Sequence, residues 1–453
     1  MMKYSHADKL HRLVKHALDS GAAKSLDDAK ALFDGYRLHI NMDERDAANY
    51  NNQVALLTAV ALGRRVFLGG VTVTLPPNVT SKTRLCASAT LAEAVVELGG
   101  AVGSLGQTQC FIAIGNSRNA ISTGFGVRTV FRGWRGGIVP LSAEDADSDP
   151  DAMPLAAMLS AALAVSEAYQ FVSGSSAFAG KRPVGLSLWD IENPEWLSAQ
   201  MNEPTLRLLP KKLWLIGLGH LGQAYMWALS LLPYRLSDEP LLALQDFDLI
   251  TPSTESTSIL SDAKLVGMKK TRTVASWAER RGFETQIVER LFDATTKRHT
   301  DEPGIALCGL DNALGRQALD RAGFDFVVEA GLGRGHQDFS SIALHTLPGS
   351  RTASDIWKLA ANKGETLVAP AYVNLLKNGV VDQCGMTLLA GRAVGAPFVG
   401  AVAACLVIAE VLRLLEGRRP FEVIDINLKA LEHRVAVQNH KDFNHLNPGF
   451  IRI

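Results

Sequence analysis

The chain has 453 residues, of which 47% are apolar and 20% charged, with Lys plus Arg and Asp plus Glu equal at 46 each. That length exceeds what one hydrophobic core usually organises, so two domains or two similar halves are expected. Charge balance removes the electrostatic case for a nucleic-acid or anionic-membrane binder, and five scattered cysteines without a C-x-x-C pair argue against a disulfide framework or structural zinc and for reduced thiols in a cytoplasm.

In chain order, residues 1–45 carry helical patterning, as in Leu10, Leu13, Val14 and Leu18, with charges spread through the first turns and no apolar core of signal-peptide length. Residues 46–180 are rich in short apolar runs and glycine, "FLGGVTVTLP", "ATLAEAVVELGG" and "CFIAIGN", and include an acidic loop, "SAEDADSDPDAMP". An apolar helix follows from Pro154, "PLAAMLSAALAVSEAYQ". It matches a second one from Pro397, "PFVGAVAACLVIAEVLR", with Pro154, Ala161, Leu163 and Glu167 aligned on Pro397, Ala404, Leu406 and Glu410. This pairing points to an internal duplication. The second run approaches membrane-span length, but Glu410 and Arg413 fall inside its helical pattern, which predicts a buried core helix rather than a span.

Residues 181–211, punctuated by Pro, Asn and Trp, read as a connector. From Lys212 to the end the pattern alternates: strand "LWLIG", helix "HLGQAYMWALSLL", strand "LLALQDFD", helix around "MKKTRTVASWAER", strands "FETQIVE" and "GIALCGLD", helix "NALGRQALDRAG" and strand "DFVVEAG". Such alternation predicts a doubly wound parallel α/β sheet.

Within it, Gly217-Leu218-Gly219-His220-Leu221-Gly222 closes a strand and opens a helix. Glycines there let the backbone approach phosphate, and the helix N-terminus offers N–H groups and positive dipole. The next strand ends in Asp246 and Asp248, where an acidic residue accepts from ribose hydroxyls. A dinucleotide-binding oxidoreductase shares both features. Downstream, Lys269 and Lys270 open a helix, fixed positive charge of the kind needed by an enzyme that cleaves between the α- and β-phosphates of ATP. A further strand ends in Asp311-Asn312, with Arg316 one turn on, and a carboxylate at that end of the sheet faces the nucleotide crevice, where it is suited to Mg²⁺.

Gly loop, D-F-D, Lys at a helix start and an Asp-Asn strand end, in this order, resemble the ThiF/MoeB and ubiquitin-activating-enzyme superfamily of adenylating enzymes. The resemblance covers Lys212 to about Ala330 well and runs more loosely through Cys384 to Leu415. It is strongest to bacterial members that are encoded with ubiquitin-like proteins in antiviral defence systems and pair an inactive N-terminal half with an active C-terminal one. The implied fold is α/β with two Rossmann-like adenylation halves, the first degenerate, the second doubly wound and mostly parallel. The implied ligands are ATP and Mg²⁺. Gly217, Gly219 and Gly222 would cradle the nucleotide, Asp246, with Asp248 beside it, would bind ribose, Lys270 would contact phosphates, Asn312 and Arg316 would line the site and Asp311 would hold the metal. A ubiquitin-like protein and a carrier protein are the implied partners, with no nucleic acid or membrane; a homodimer is left open.

Two departures weigh against this. Where the family shows Asn and Arg after D-F-D, this chain has "TPSTESTS", with Thr254 and Thr257, and the family's early R-Y-N-R-Q element is matched by "NYNNQ" at Asn49–Gln53. Arg45, Arg316 and Arg334 are candidate substitutes. For a thioester-forming nucleophile, Cys308 and Cys405 fall in an apolar strand and helix and read as core thiols, and Cys86 and Cys110 lie in the half without a glycine loop. Cys384 follows a stretch read as irregular, Gly335–Gln383, where the superfamily carries its crossover loop and thiol; it is either an acyl acceptor or a small residue beside Gly385, with His336 and His345 as possible assistants. A non-catalytic scaffold, supported by the missing arginines, and a nicotinamide-dependent oxidoreductase, which leaves Lys270 and Asp311 unexplained, are the competing readings.

Overall fold

The computed structural model describes residues 4–116, 124–144, 146–198, 202–358, 370–377 and 383–453, without the side chains of residues 370 and 383–385. A first sheet is built from β1 (Leu38–Met42), β2 (Val71–Thr74), β3 (Ala101–Val102), β4 (Cys110–Ile114), β5 (Phe125–Arg132), β6 (Arg135–Pro140) and β7 (Val184–Ser187), in spatial order β3-β2-β1-β4-β5-β6-β7. After β8 (Leu208–Pro210) comes a second sheet of β9 (Lys212–Ile216), β10 (Leu241–Gln245), β11 (Glu284–Val288), β12 (Ile305–Cys308), β13 (Phe326–Leu332), β14 (Ser341–Leu347), β15 (Phe421–Asn427) and β16 (Val435–Gln438). Its order, β11-β10-β9-β12-β13-β14-β15-β16, repeats the first strand for strand and adds β16 at one edge. A short ribbon pairs β8 with β17 (Phe450–Arg452). In both sheets the pairing is parallel up to β5 or β13 and antiparallel beyond. The fold class is therefore α/β, with two mixed, mostly parallel sheets.

The central strands explain themselves. In β4 and β12 every residue is buried, as befits unbroken apolar runs in parallel strands covered on both faces. The irregular stretch expected at Gly335–Gln383 is corrected by β14, whose Ile342 and Leu344 enter the core on alternate residues; a period-2 signal was present but masked by the surrounding glycine and polar residues.

Two helices, Pro154–Val172 and Pro397–Leu415, each 19 residues with proline in the first turn, pack against one another at the centre. Both are long and apolar enough to cross a membrane, yet the apolar window of each is 89% buried inside the protein. Glu167 accepts from Gly180 N at 2.9 Å, and Glu410 accepts from Phe421 N at 2.6 Å while pairing with Arg413 at 3.2 Å. Each buried carboxylate thus pins the chain as it leaves its helix, the same job in both halves. Burial pushes the Glu410 carboxyl up to about 7.

A second correspondence corrects the reading of "NYNNQ". Asn49 caps the helix Tyr50–Gly63, which follows β1 as the helix His220–Leu231 follows β9. Gln53, fully buried, donates to Ala47 O and Thr80 O and accepts from Lys82 N; Gln223, fully buried, donates to Leu218 O and Ser261 Oγ and accepts from Leu260 N. Asn49–Gln53 is therefore the first half's counterpart of Gly219–Gln223 and not an arginine-bearing arm that lost its arginines. The first half's "FLGG" stands before β2, far along the chain from the position of a phosphate loop.

The halves are clamped by Arg65, 3% exposed, whose guanidinium donates to Glu255 O (2.9 Å), Ser258 O (3.2 Å), Ile259 O (2.9 Å) and Ser261 O (2.8 Å). The arginine-poor "TPSTESTS" run is thus held from across the interface, with Thr254 hydrogen-bonded to Thr251 and Thr257 buried. The N-terminal arm, with helices His6–Lys9, Val14–Asp19 and Leu26–Asp34, crosses onto the second half: Arg12 N donates to Ser256 Oγ, Gly395 N donates to Arg12 O, and Asp8 pairs with Arg392 at 2.9 Å.

Candidate active site

In a doubly wound sheet the crevice opens at the carboxyl ends of the strands where crossovers leave in opposite directions, which here is between β9 and β12. Gly217 turns the chain out of β9 at φ +82°, and Gly219 caps the helix His220–Leu231. Gly222 lies so close beneath the turn that a Cβ there would stand 2.0 Å from Gly217 O. The first turn leaves the N–H groups of His220, Leu221 and Gly222 without acceptors inside the helix. The loop is fastened from behind: Gly217 N donates to Gln245 O, and Leu218 N donates to Asp246 Oδ2 at 2.7 Å. His220 rests on the last helix, where a Cβ at Gly400 would lie 2.3 Å from its Nε2, and burial lowers its imidazole to about 4.

Asp246, 8% exposed at its side chain, also accepts from Asp248 N at 2.8 Å, so both its oxygens serve the main chain. Asp248, 49% exposed, is the carboxylate open to a ligand. Lys270, the first residue of the helix Lys270–Glu279, donates to Asp248 Oδ2 at 2.8 Å and lies 3.7 Å from Asp246 Oδ2. The expected ribose carboxylates and phosphate cation therefore stand together, neutralising one another.

Across the crevice, β12 ends in Cys308, and Gly309 packs its backbone against Leu221 and Gly222. Asp311 and Asn312 are exposed; Asn312 Oδ1 caps the helix Ala313–Gln317 through Gly315 N at 2.7 Å. Arg316 does not face the crevice. It is 6% exposed, its Nε and Nη2 donate to Leu310 O at 2.9 and 2.6 Å, Nη2 also reaches Ala330 O, and the guanidinium stacks 4.0 Å from the Trp357 ring centre. The expectation that Arg316 lines the nucleotide site is thereby corrected: its donors are taken by the carbonyls of Leu310, in the turn after β12, and Ala330, in β13.

A cation from the N-terminal arm, Arg12, lies within electrostatic range of Asp311, and its Nη1 donates to Ala393 O at 3.4 Å. Burial and the guanidinium of Arg392 lower Arg12 to about 10, opposed by the carboxylates of Asp311 and Asp8, with Arg334 adding a further lowering. Arg12 also bears on His220 in the glycine loop. Arg12 thus feels the charges of Arg334, Arg392, Asp8 and Asp311, with Arg392 itself paired to Asp8 at 2.9 Å. Arg334 is exposed, as is Arg45, which sits on the first half's helix Glu44–Ala47. Sequence reading overlooked Arg12 because its helical neighbourhood, "HRLVKHAL", carries no signal of where the arm docks.

A single exposed carboxylate suits Mg²⁺, which usually takes one or two carboxylates with the substrate's phosphates; among the described residues there is no cluster of three or more His, Cys, Asp or Glu that would form an all-protein metal cage. Cys384 lies in the first turn of the helix Gln383–Gly391, but its side chain falls outside the described residues. The other thiols are buried, and burial raises Cys86 and Cys308 to about 12 and Cys110 and Cys405 higher still. Native protein treated with iodoacetamide near pH 8 is expected to leave these four unlabelled on the timescale on which an exposed thiol reacts, as read by peptide mass spectrometry. His345 is buried on β14 beside Glu329, and His336 is half-buried.

Residues 209–418 match the family described as "BilD C-terminal domain", and residues 37–188 match "BilD N-terminal domain". The bacterial E1-like protein BilD of Collimonas sp. (strain OK412) is 46% identical over 418 residues, 92% of this chain and 90% of that protein. Among solved structures, E. coli MccB aligns with 70% of this chain and 93% of its own at 13% identity and a TM-score of 0.36. The E. coli tRNA N6-threonylcarbamoyladenosine dehydratase TcdA aligns with 46% of this chain and 86% of its own at 15% identity and a TM-score of 0.30.

Proposed function

The chain belongs to the family of the bacterial E1-like protein BilD, and from that premise we propose that its second half binds ATP with Mg²⁺ and adenylates the C-terminal carboxylate of a ubiquitin-like protein. The observation that carries this is the convergence on one crevice of the glycine loop, Lys270, Asp248, Asp311 and Arg12. The helix N-terminus and loop amides hold phosphate oxygens, and an arriving polyphosphate draws the Lys270 ammonium away from Asp248, freeing that carboxylate for ribose hydroxyls. Asp311 would hold Mg²⁺, which supplies charge neutralisation on the phosphates when bound. Arg12, with Arg334 beside it, stabilises negative charge that develops at the α-phosphorus as the acyl oxygen attacks and pyrophosphate leaves. Arg12 from the arm stands in for the arginine absent after D-F-D, a substitution that weakens the case for a non-catalytic scaffold. An E1-like chain has no use for a nicotinamide, and the oxidoreductase reading is set aside.

In a second stage, the Cys384 thiolate attacks the acyl carbon, the C–S bond forms as the C–O bond to AMP breaks, and the acyl group then passes to a cysteine of a carrier protein. A cytoplasm, where thiols stay reduced, suits this chemistry.

The test is ATP–pyrophosphate exchange with Mg²⁺ and the ubiquitin-like protein encoded beside this gene. Asp311→Ala is expected to lower the exchange rate by roughly 10²–10³-fold with unchanged thermal stability. Folded wild type that exchanges with no such partner would bring the scaffold reading back.

A further inference from the structure

Under the crevice lies a buried ionic group that binding of a nucleotide does not use. Glu329 on β13 is 1% exposed and stands in register with Cys308 of β12 on one side and His345 of β14 on the other. Neither of its oxygens has a hydrogen-bond partner among the described residues; Arg316 Nη1 is 3.7 Å and His345 Nδ1 3.6 Å from Oε1. A buried carboxylate without hydrogen bonds costs several kcal/mol, so plain packing favours an apolar residue here. What Glu329 does is hold the guanidinium that grips Leu310 O with two donors.

That grip matters because of where Leu310 sits. It immediately precedes Asp311, in a turn that has glycine at 309 and 315 and is anchored at its two ends, by Gly309 N donating to Ile216 O at 2.8 Å and by the Asn312 cap, with the Arg316 grip between them. Trp357 closes the open face of the guanidinium, and its carbonyl accepts from Gln317 Nε2 at 2.6 Å. Asp320 caps the short helix Ala353–Ile356 through Ala353 N and Ser354 N. The Asp311 turn and the segment ending at Trp357 are thus one packed unit built around Arg316.

We infer that Glu329 and Trp357 are positioning residues for the Asp311 carboxylate, acting through Arg316 and its hold on Leu310 O; this rests on the adenylation reading above for the role of Asp311. Outer partners of a metal-holding carboxylate fix its aim, and losing one typically costs 10–100-fold in metal affinity. Glu329→Gln keeps shape and removes the charge, while Trp357→Leu removes the stacking surface at a half-buried position where folding is not at stake.

The experiment measures amide hydrogen exchange of peptides spanning 309–317 and, in parallel, the MgCl₂ concentration giving half-maximal ATP–pyrophosphate exchange. Both variants are expected to exchange about 10-fold faster in that peptide, with β9 and β13 unchanged, and to need about 10-fold more Mg²⁺. Unchanged protection in a folded variant overturns the inference, and so does faster exchange with an unaltered Mg²⁺ requirement, which makes the clamp merely structural. Wild-type activity insensitive to Asp311→Ala counts against the adenylation reading alone; the peptide protection still decides whether the clamp holds the turn.

Discussion

Arg12→Ala is expected to lower partner-dependent ATP–pyrophosphate exchange by roughly 10²–10³-fold, the range for removing one preorganised charge donor from a transition state. Arg12 comes from the arm of the first half yet lies among Asp311, Arg334 and Arg392 of the second. Its lowered value of about 10 still leaves it cationic at neutral pH. The arm is tied down by main-chain contacts, Arg12 N to Ser256 Oγ and Gly395 N to Arg12 O. Losing the side chain removes the Nη1 bond to Ala393 O at 3.4 Å but leaves these two main-chain contacts, so the arm should stay docked with a small loss of thermal stability. Arg12→Lys should recover only part of the rate, because an ammonium lacks the planar fork that grips two phosphate oxygens. Full activity in Arg12→Ala would sink the cross-half role.

Gly222→Ala is expected to weaken ATP binding at least ~100-fold, about 2.7 kcal/mol. The new Cβ would stand 2.0 Å from Gly217 O. That oxygen cannot yield, because Gly217 sits at φ +82°, its own N–H donates to Gln245 O and the next residue, Leu218, donates to Asp246. Gly219→Ala makes the informative contrast. Among the described residues, nothing beyond its chain neighbours lies within 4 Å of a Cβ at Gly219, so the chain should fold normally, and any loss of nucleotide affinity reports a phosphate lying against that backbone. Calorimetric titration with MgATP checks both; tight binding by Gly222→Ala would place the nucleotide elsewhere. The first half carries its own version of this experiment: Asn52 occupies the place of Gly222 and Asn49 that of Gly219, so the equivalent turn is longer and is built without the close approach.

The second half was largely legible from sequence because its signals are local. Five strands with apolar runs, a glycine motif after the first, and acidic and basic residues at strand and helix ends each declare themselves within a few positions. The duplication was visible in two proline-started helices whose buried glutamates each catch a backbone N–H after the helix ends. Local pattern also misled. "NYNNQ" looked like an arginine-bearing element that had lost its arginines, and only its place after β1, with Gln53 repeating the work of Gln223, shows it to be the degenerate glycine loop. Arg316 looked like a site residue from its spacing after Asp311, but a helix turn does not say which way a side chain goes, and the buried Glu329 and the Leu310 carbonyl draw it inward.

Sequence by itself thus determined the α/β alternation and the repeat of the buried apolar helix, since strand burial and helix patterning depend on neighbours in the chain. Only the tertiary structure decided which cations face Asp311 and which are taken by the core. Arg12 and Arg65 act across the interface between halves, on residues some two hundred or more positions away, and such partners are set by how two sheets and an arm pack, a choice no local pattern encodes.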